Sequence, residues 1–267
     1  MARAPDGPED RVFADIDGNT FHYNSVGDGP PIVFVHGLGG SGHVWHGVVQ
    51  AMSQHHHCVT VDLRGHGRSQ GRGKLSVDGW AKDVHRLIAA LELPAVTLVG
   101  HSLGSLVAQE VARTEPESVD QLVLVGGISY FEPATADAYR QRADAVEADG
   151  MDALVDDWLA GAVSPRTHAT QPALVGLLRE LFLRNDPQHY AKSCRALADA
   201  PRIDREALGQ RTLILTGAHD RSTPLAMSEE LKASIPVSRI KVVPGVGHWM
   251  PLEDPEAVAA ALLEFLT

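Results

Sequence analysis

Short apolar runs alternate along this chain with longer stretches in which apolar residues recur every three or four positions. Residues 31–35 read PIVFV, with no polar position, the pattern of a strand covered on both faces. Residues 58–62 (CVTVD), 95–100 (AVTLVG), 121–125 (QLVLV), 212–216 (TLILT) and 240–243 (IKVV) repeat that signature. Ahead of them, residues 11–16 and 20–26 flank Asp17-Gly18-Asn19, which predicts a hairpin. Val77, Trp80, Ala81, Val84, Leu87, Ile88 and Leu91 fall on one face of a helix. Thr223 before Pro224, and Asp254 before Pro255, fit N-caps followed by proline at the first helical position. Strand–helix alternation of this kind predicts an α/β fold: a mostly parallel central sheet flanked by helices, with right-handed crossovers. The first ten residues read as a frayed tail.

One stretch breaks the alternation. Residues 129–208 contain no run that reads as a buried strand, and helical segments are expected around 134–148, 151–160, 172–183 and 187–198. This predicts a helical cap, or lid, at 129–208, inserted into a core formed by 1–128 and 209–267. Asp149, Asp152, Asp156 and Asp157 read as a solvated helix face within it.

Composition narrows the range of functions. Of 267 residues, 44% are apolar and 21% charged, enough to bury a sizeable core and to exclude disorder for the bulk of the chain. No window approaches the ~20 apolar residues of a membrane span, and MARAPDGPEDR lacks the apolar region of a secretory signal. Lys and Arg number 23 against 34 Asp and Glu, a net charge of -11. That balance disfavours nucleic acid and anionic membranes as partners and leaves a small molecule. Two cysteines, Cys58 and Cys194, cannot build a disulfide framework and read as buried small hydrophobes. A reducing, cytoplasmic setting is the simpler reading.

Candidate chemistry begins at Gly100-His101-Ser102-Leu103-Gly104. This G-x-S-x-G follows an apolar strand and opens a helix, the context a nucleophile elbow requires. A serine hydroxyl needs a base to take its proton. In this architecture the acid and then the histidine follow in the chain. Asp220, in the loop after residues 212–216, and His248, in the loop after 240–243, are placed to serve, with His248 as base and Asp220 orienting it. Asp220 also fits a helix cap, and Asp62, Glu132 and Asp254 are competing acids. His36-Gly37-Leu38-Gly39-Gly40 follows PIVFV. The amides of Leu38 and Leu103 are the candidate oxyanion donors. Tyr130, Trp158 and Trp249, with Phe131 and Met250, are candidates for an apolar substrate pocket or for packing. His55-His56-His57 reads as a solvated loop, because three adjacent side chains cannot all face one ion. No metal or organic cofactor is needed for this chemistry.

Together these motifs resemble the α/β-hydrolase superfamily over essentially the whole chain. Asp62-Leu63-Arg64-Gly65-His66-Gly67-Arg68-Ser69 resembles that family's D-x-R-G-x-G-x-S loop, and Gly247-His248 with Pro251, Glu253 and Pro255 resembles its C-terminal histidine loop. Residues 148–151 and 185–190, with Cys194, Ala196 and Leu197, are similar to the cap of 3-oxoadipate enol-lactonases and related small esterases. The elbow departs from those lactonases at His101 and Ser105. The resemblance implies an α/β-hydrolase fold and a serine hydrolase acting on a carboxylic ester or lactone through an acyl-enzyme. Carbon–carbon bond hydrolysis, a cofactor-free perhydrolase or haloperoxidase activity, and a non-catalytic ligand receptor remain alternatives on the same fold. Ser102 at the elbow excludes chemistry that needs a carboxylate nucleophile there.

Overall fold

The computed structural model describes residues 11–267, so the expected frayed tail at 1–10 lies outside the described residues. The chain runs β1 (Arg11–Ile16), β2 (Asn19–Val26), β3 (Pro31–Val35), α1 (His46–Met52), β4 (His57–Val61), α2 (Val77–Ala90), β5 (Val96–His101), α3 (Leu103–Thr114) and β6 (Val119–Val125). Five helices follow: α4 (Pro133–Asp149), α5 (Val155–Ala162), α6 (Pro165–Thr170), α7 (Pro172–Leu183) and α8 (Pro187–Ala198). Then come β7 (Arg211–Gly217), α9 (Leu225–Ser234), β8 (Ser238–Val243), α10 (Met250–Glu253) and α11 (Pro255–Leu266). No described helix is long and apolar enough to cross a membrane.

The strands form one sheet in the order β1-β2-β4-β3-β5-β6-β7-β8, antiparallel where β2 meets β1 and β4, and parallel elsewhere. The hairpin closes through Asp17 and Gly18 alone, both at positive φ, and Asn19 already pairs with Ile16. Alternation along the strands divides the core in two. Ile32, Phe34, Val99 and Val123 pack with α1 and α11, while Val33, Val35, Leu98 and Leu122 pack with α2, α3 and α9. Fully burying one such side chain is worth about 1.5–3 kcal/mol, so these layers, not helix propensity, fix which face each helix turns inward.

Three local expectations are corrected. Residues 240–243 lie in β8, the last strand of the sheet, and Val242 is 44% exposed, so the run is not covered on both faces. An edge strand has a neighbour on one side only. Thr223 does not cap α9: Pro224 occupies that position and the Thr223 hydroxyl donates to Asp220 at 2.8 Å. A buried carboxylate outbids the helix end for that hydroxyl. The helix expected at 151–160 is split into a 3-10 turn, Met151–Ala153, and α5, while α6 had no apolar periodicity to announce it. Asp254 caps α11 as expected, accepting from the Ala257 amide at 2.9 Å.

Two features hold the loops that carry the site. The first is the elbow: a Cβ on Gly104 would stand 2.4 Å from the Val35 carbonyl oxygen, so α3 lies directly on the end of β3. The second is the loop after β4. Asp62 accepts from the Gly42 amide at 2.6 Å, the Arg68 amide at 2.8 Å and His22 Nδ1 at 3.0 Å. Ser69 donates to the Asp62 carbonyl at 2.6 Å, and the Trp80 indole donates to the Arg64 carbonyl at 2.9 Å. Burial alone would raise the Asp62 pKa. Its bond to His22, the His36 charge and the two amides outweigh burial and bring it down to about 2. Asp62 is therefore spoken for by the brace between β2, β4 and the turn before α1.

Two outcomes are expected. Gly104→Ala should lose about 1–3 kcal/mol or more of stability by denaturant unfolding, because the added methyl meets backbone that cannot swing aside. Asp62→Asn should cost roughly 2 kcal/mol at neutral pH. A carboxyl with a lowered folded-state pKa stabilises above its unfolded pKa, and that contribution vanishes as pH falls through the folded value. The gap between wild type and Asp62→Asn should therefore close between about pH 4 and pH 2 in pH-dependent unfolding. A gap that persists at pH 2 would show that the brace is not electrostatic.

Candidate active site

β5 ends at His101 and α3 begins at Leu103, so Ser102 alone makes the turn between them. Its backbone sits at φ 52°, ψ -117°, a conformation that costs a non-glycine residue about 1–3 kcal/mol. The turn is held because the Ser102 amide donates to the Val125 carbonyl at 3.0 Å and the Ser102 carbonyl accepts from the Ser105 amide at 2.8 Å. The Ser105 hydroxyl accepts from the Ile128 amide at 3.0 Å. Ser102 is 7% exposed, and its hydroxyl has no hydrogen-bond partner among the described residues.

Asp220 and His248 are brought together from 28 residues apart: His248 Nδ1 lies 2.9 Å from Asp220 Oδ2. The same oxygen accepts from the Thr223 hydroxyl, and Asp220 Oδ1 accepts from the Ser222 and Thr223 amides at 2.9 and 2.8 Å. Burial would push the Asp220 carboxyl up. The His248 charge and bond, with the Thr223 amide and hydroxyl, hold it below the usual carboxylate range. An ionised carboxylate only accepts, so the proton of this hydrogen bond sits on His248 Nδ1.

Ser102 and this pair share neighbours, although Ser102 is not hydrogen-bonded to His248 in this structure. Gly126 follows the carbonyl that holds Ser102. It sits at φ +53°, and a Cβ there would come within 3.2 Å of Asp220 Oδ2 and of His248 Nδ1. His101 joins the two from the other side. Its Nε2 lies 2.8 Å from the His248 carbonyl, and the two rings stand 4.8 Å apart. Burial, followed by the His248 charge, pushes the His101 pKa down to about 3. His101 is thus neutral, and because a carbonyl only accepts, its proton sits on Nε2.

The glycine turn after β3 is pressed against this elbow. A Cβ on Gly37 would lie 3.0 Å from Ser102 Cβ and from His101 Nδ1. The amides of Leu38 and Leu103 meet no backbone or side-chain acceptor among the described residues. His36 fixes the turn: the Leu63 amide donates to its Nε2 at 3.0 Å, and its Nδ1 donates to the Gly37 carbonyl at 2.7 Å.

Aromatic rings lead away from His248. Trp249 stands 5.3 Å from the His101 ring and 5.7 Å from Trp158, Trp158 stacks on Phe182 at 4.5 Å, and Phe182 meets Tyr190 at 5.3 Å. Tyr130 is not part of that series: it is hydrogen-bonded to Glu132, with the Arg202 guanidinium 3.6 Å over its ring. Glu132 and Asp254 are likewise engaged away from His248, as a surface partner and a helix cap. Cys58 and Cys194 are buried and free, with burial raising each thiol to about 12. His57 bonds Ser25 at 2.7 Å, and Asp149, Asp152, Asp156 and Asp157 are exposed. A separate cleft of about 1280 Å³ runs between residues 62–72 and the α7–α8 junction, bordering Gly39 and Gly40 but not Ser102, Asp220 or His248.

Glu253, in the sequence only one position of the histidine-loop motif, is a buried hub in the structure. Its carboxylate accepts from the Gly247 amide at 3.0 Å and the Trp249 amide at 3.2 Å, bracketing His248. It also accepts from the Ser164 amide at 2.9 Å and the Thr167 hydroxyl at 2.7 Å, at the start of α6. The His248 amide donates to the Ala162 carbonyl at 3.1 Å.

Comparison with known proteins fits this architecture. A solved esterase from Thermogutta terrifontis, with malate bound, superposes with a TM-score of 0.90 at 26% identity, covering 96% of this chain and 98% of that one. The enol-lactonase from Burkholderia xenovorans LB400 gives a TM-score of 0.90 at 24% identity, covering 96% and 99%, a likeness of fold. The (E)-2-((N-methylformamido)methylene)succinate hydrolase of Acinetobacter baylyi is 26% identical over 257 residues, 92% of this chain and 94% of its own length. The family model for the alpha/beta hydrolase fold matches residues 30–255. The sheet order, the strained serine and that match agree: the chain belongs to the α/β-hydrolase fold family.

Proposed function

We propose that this protein is a serine hydrolase that cleaves a carboxylic ester or lactone. The observation that carries the reading is the buried Asp220–His248 pair at 2.9 Å beside an unengaged serine hydroxyl on a strained turn. In this reading Ser102 Oγ attacks the carbonyl carbon while His248 Nε2 takes its proton, and Asp220 steadies the imidazolium. The Leu38 and Leu103 amides donate to the developing oxyanion. Collapse of the tetrahedral intermediate expels the alkoxide, which receives the proton from His248. In a lactone that alkoxide stays tethered to the acyl group. Water, activated by His248, then cleaves the acyl-enzyme and returns the proton to Ser102.

Support also comes from His101, which remains neutral near the imidazole and so adds no positive charge to oppose protonation of His248. Trp158 and Trp249 supply apolar surface for the acyl or alcohol portion. Residues 129–208 act as the lid over that surface, with 11–128 and 209–267 as the hydrolase core. Two buried free thiols suit a reducing cytoplasm.

Ser102→Ala should lower kcat/KM for a 4-nitrophenyl ester by on the order of 10⁴-fold while leaving the thermal unfolding profile intact. A fluorophosphonate probe should label Ser102. Near-normal turnover by the variant, or labelling at a different residue, would sink the assignment. A panel of 4-nitrophenyl esters beside lactones and a β-diketone then separates ester from carbon–carbon cleavage by product.

A further inference from the structure

The helices between β6 and β7 carry several arginines, and most are matched. Arg140 pairs with Asp137 at 2.8 Å and Asp199 at 2.7 Å; Arg195 pairs with Asp144 at 2.6 Å and Glu147 at 2.7 Å. Arg166 in α6 is without a carboxylate partner among the described residues, and so is Arg142, on the same helix as Arg140. Among the described residues no carboxylate lies within ion-pair reach of it, in a chain where acids outnumber bases 34 to 23. It is half-buried, its guanidinium lies 4.9 Å over the Tyr139 ring, and its main electrostatic neighbours are Tyr190, Tyr139 and Cys194. A partly desolvated cation without a counter-charge is costly, and with its face resting on an aromatic ring the in-plane N–H groups point toward neighbours that carry no charge, Tyr190 among them.

The surroundings place this cation beside the site. Tyr190 is 2% exposed, and its hydroxyl lies against the Arg142 guanidinium and the Cys194 thiol. Its ring covers the oxyanion turn, because a Cβ on Gly39 would lie 3.0 Å from Tyr190 Cε2. The same ring ends the aromatic series that starts at Trp249. Tyr139, under the guanidinium, is within electrostatic reach of Asp220. A guanidinium without a counter-charge and a buried phenol thus meet between α4 and α8, on the side of the helices facing the glycine turn and Asp220.

We infer that Arg142, with the Tyr190 hydroxyl beside it, seats a free carboxylate of the substrate, so that the preferred substrates are acidic: half-esters of dicarboxylic acids, or lactones bearing a carboxylate. This rests on the reading of Ser102 as nucleophile. The guanidinium fork accepts a carboxylate through two N–H groups, and the phenol adds a third donor in a dry setting. The anchored end is held under α4 and α8 while the scissile carbonyl reaches the elbow.

The test compares mono-4-nitrophenyl glutarate with 4-nitrophenyl pentanoate, esters of matched chain length that differ in a terminal carboxylate. The wild type should favour the acidic ester. Arg142→Gln should lower the acidic-to-neutral ratio of kcat/KM by about 10–100-fold, and Tyr190→Phe by a smaller factor. Arg140→Gln, altered on the matched arginine, should leave the ratio alone. An unchanged ratio in Arg142→Gln, or a wild type that prefers the neutral ester, overturns the inference. If Arg142→Gln fails to fold, Arg142→Lys, which keeps the charge but not the fork, should still lower the ratio, and an unchanged one is equally fatal. A second readout does not depend on turnover. Glutarate should raise the unfolding temperature of Ser102→Ala, and that protection should vanish in Ser102→Ala/Arg142→Gln; equal protection of both overturns the carboxylate seat. Arg142-dependent protection without turnover of either ester would instead remove the serine-hydrolase reading and leave the seat standing.

Discussion

The strained turn at Ser102 depends on backbone pressed to backbone. α3 can start directly over β3 only because Gly104 presents no Cβ to the Val35 carbonyl, and β5 can reach that start only because Gly100 presents none to Gly104. The closeness leaves one residue to reverse the chain, and Ser102 takes a positive φ to do it. The strain is held by the sheet: the Ser102 amide is tied to the end of β6 and its carbonyl to the first turn of α3. The other parts of the site arrange themselves around that crest. The Gly37 turn abuts it, Gly126 opens space beside it, and His101 ties its base to the carbonyl of His248.

Much of this frame was legible in the chain because the signals are local. Continuous apolar runs such as PIVFV have the form of central strands, and β3 has the bounds its run implies. The loops leaving the carboxyl ends of β7 and β8 carry Asp220 and His248, and the two side chains meet at 2.9 Å. Misreadings arose where a local signal competes with a distant partner. Thr223-Pro224 has the form of a helix cap, but Asp220 claims the hydroxyl. IKVV has the form of a central strand, but nothing in four residues tells that no strand follows it in the sheet. Glu253 was visible only as part of a motif, because two of its partners lie 86 and 89 residues earlier. Arg142 had no local mark at all: its significance lies in the acids that are not near it.

Two polar knots divide the labour of placing the site. The Asp62 knot joins the early strands to the turn before α1 and keeps the glycine turn seated through His36 and Leu63. The Glu253 knot joins the loop around His248 to the first residues of α6. Both use one buried carboxylate as a hub for several N–H groups, the arrangement in which a buried charge is best satisfied. Neither hub touches Asp220, so the acid that bonds His248 keeps its own set of donors.

The Glu253 hub also sets limits on motion. The chain entering α6 cannot pull away from the imidazole loop without stripping a buried carboxylate of two donors, and the Ala162 carbonyl of the His248 amide. That corner therefore behaves as a pivot. Any breathing of the five helices that leaves the imidazole in register has to originate at the far corner, near Asn185, where a single hydrogen bond, from the Asn185 amide to the Gly39 carbonyl, and the Tyr190 ring meet the glycine turn.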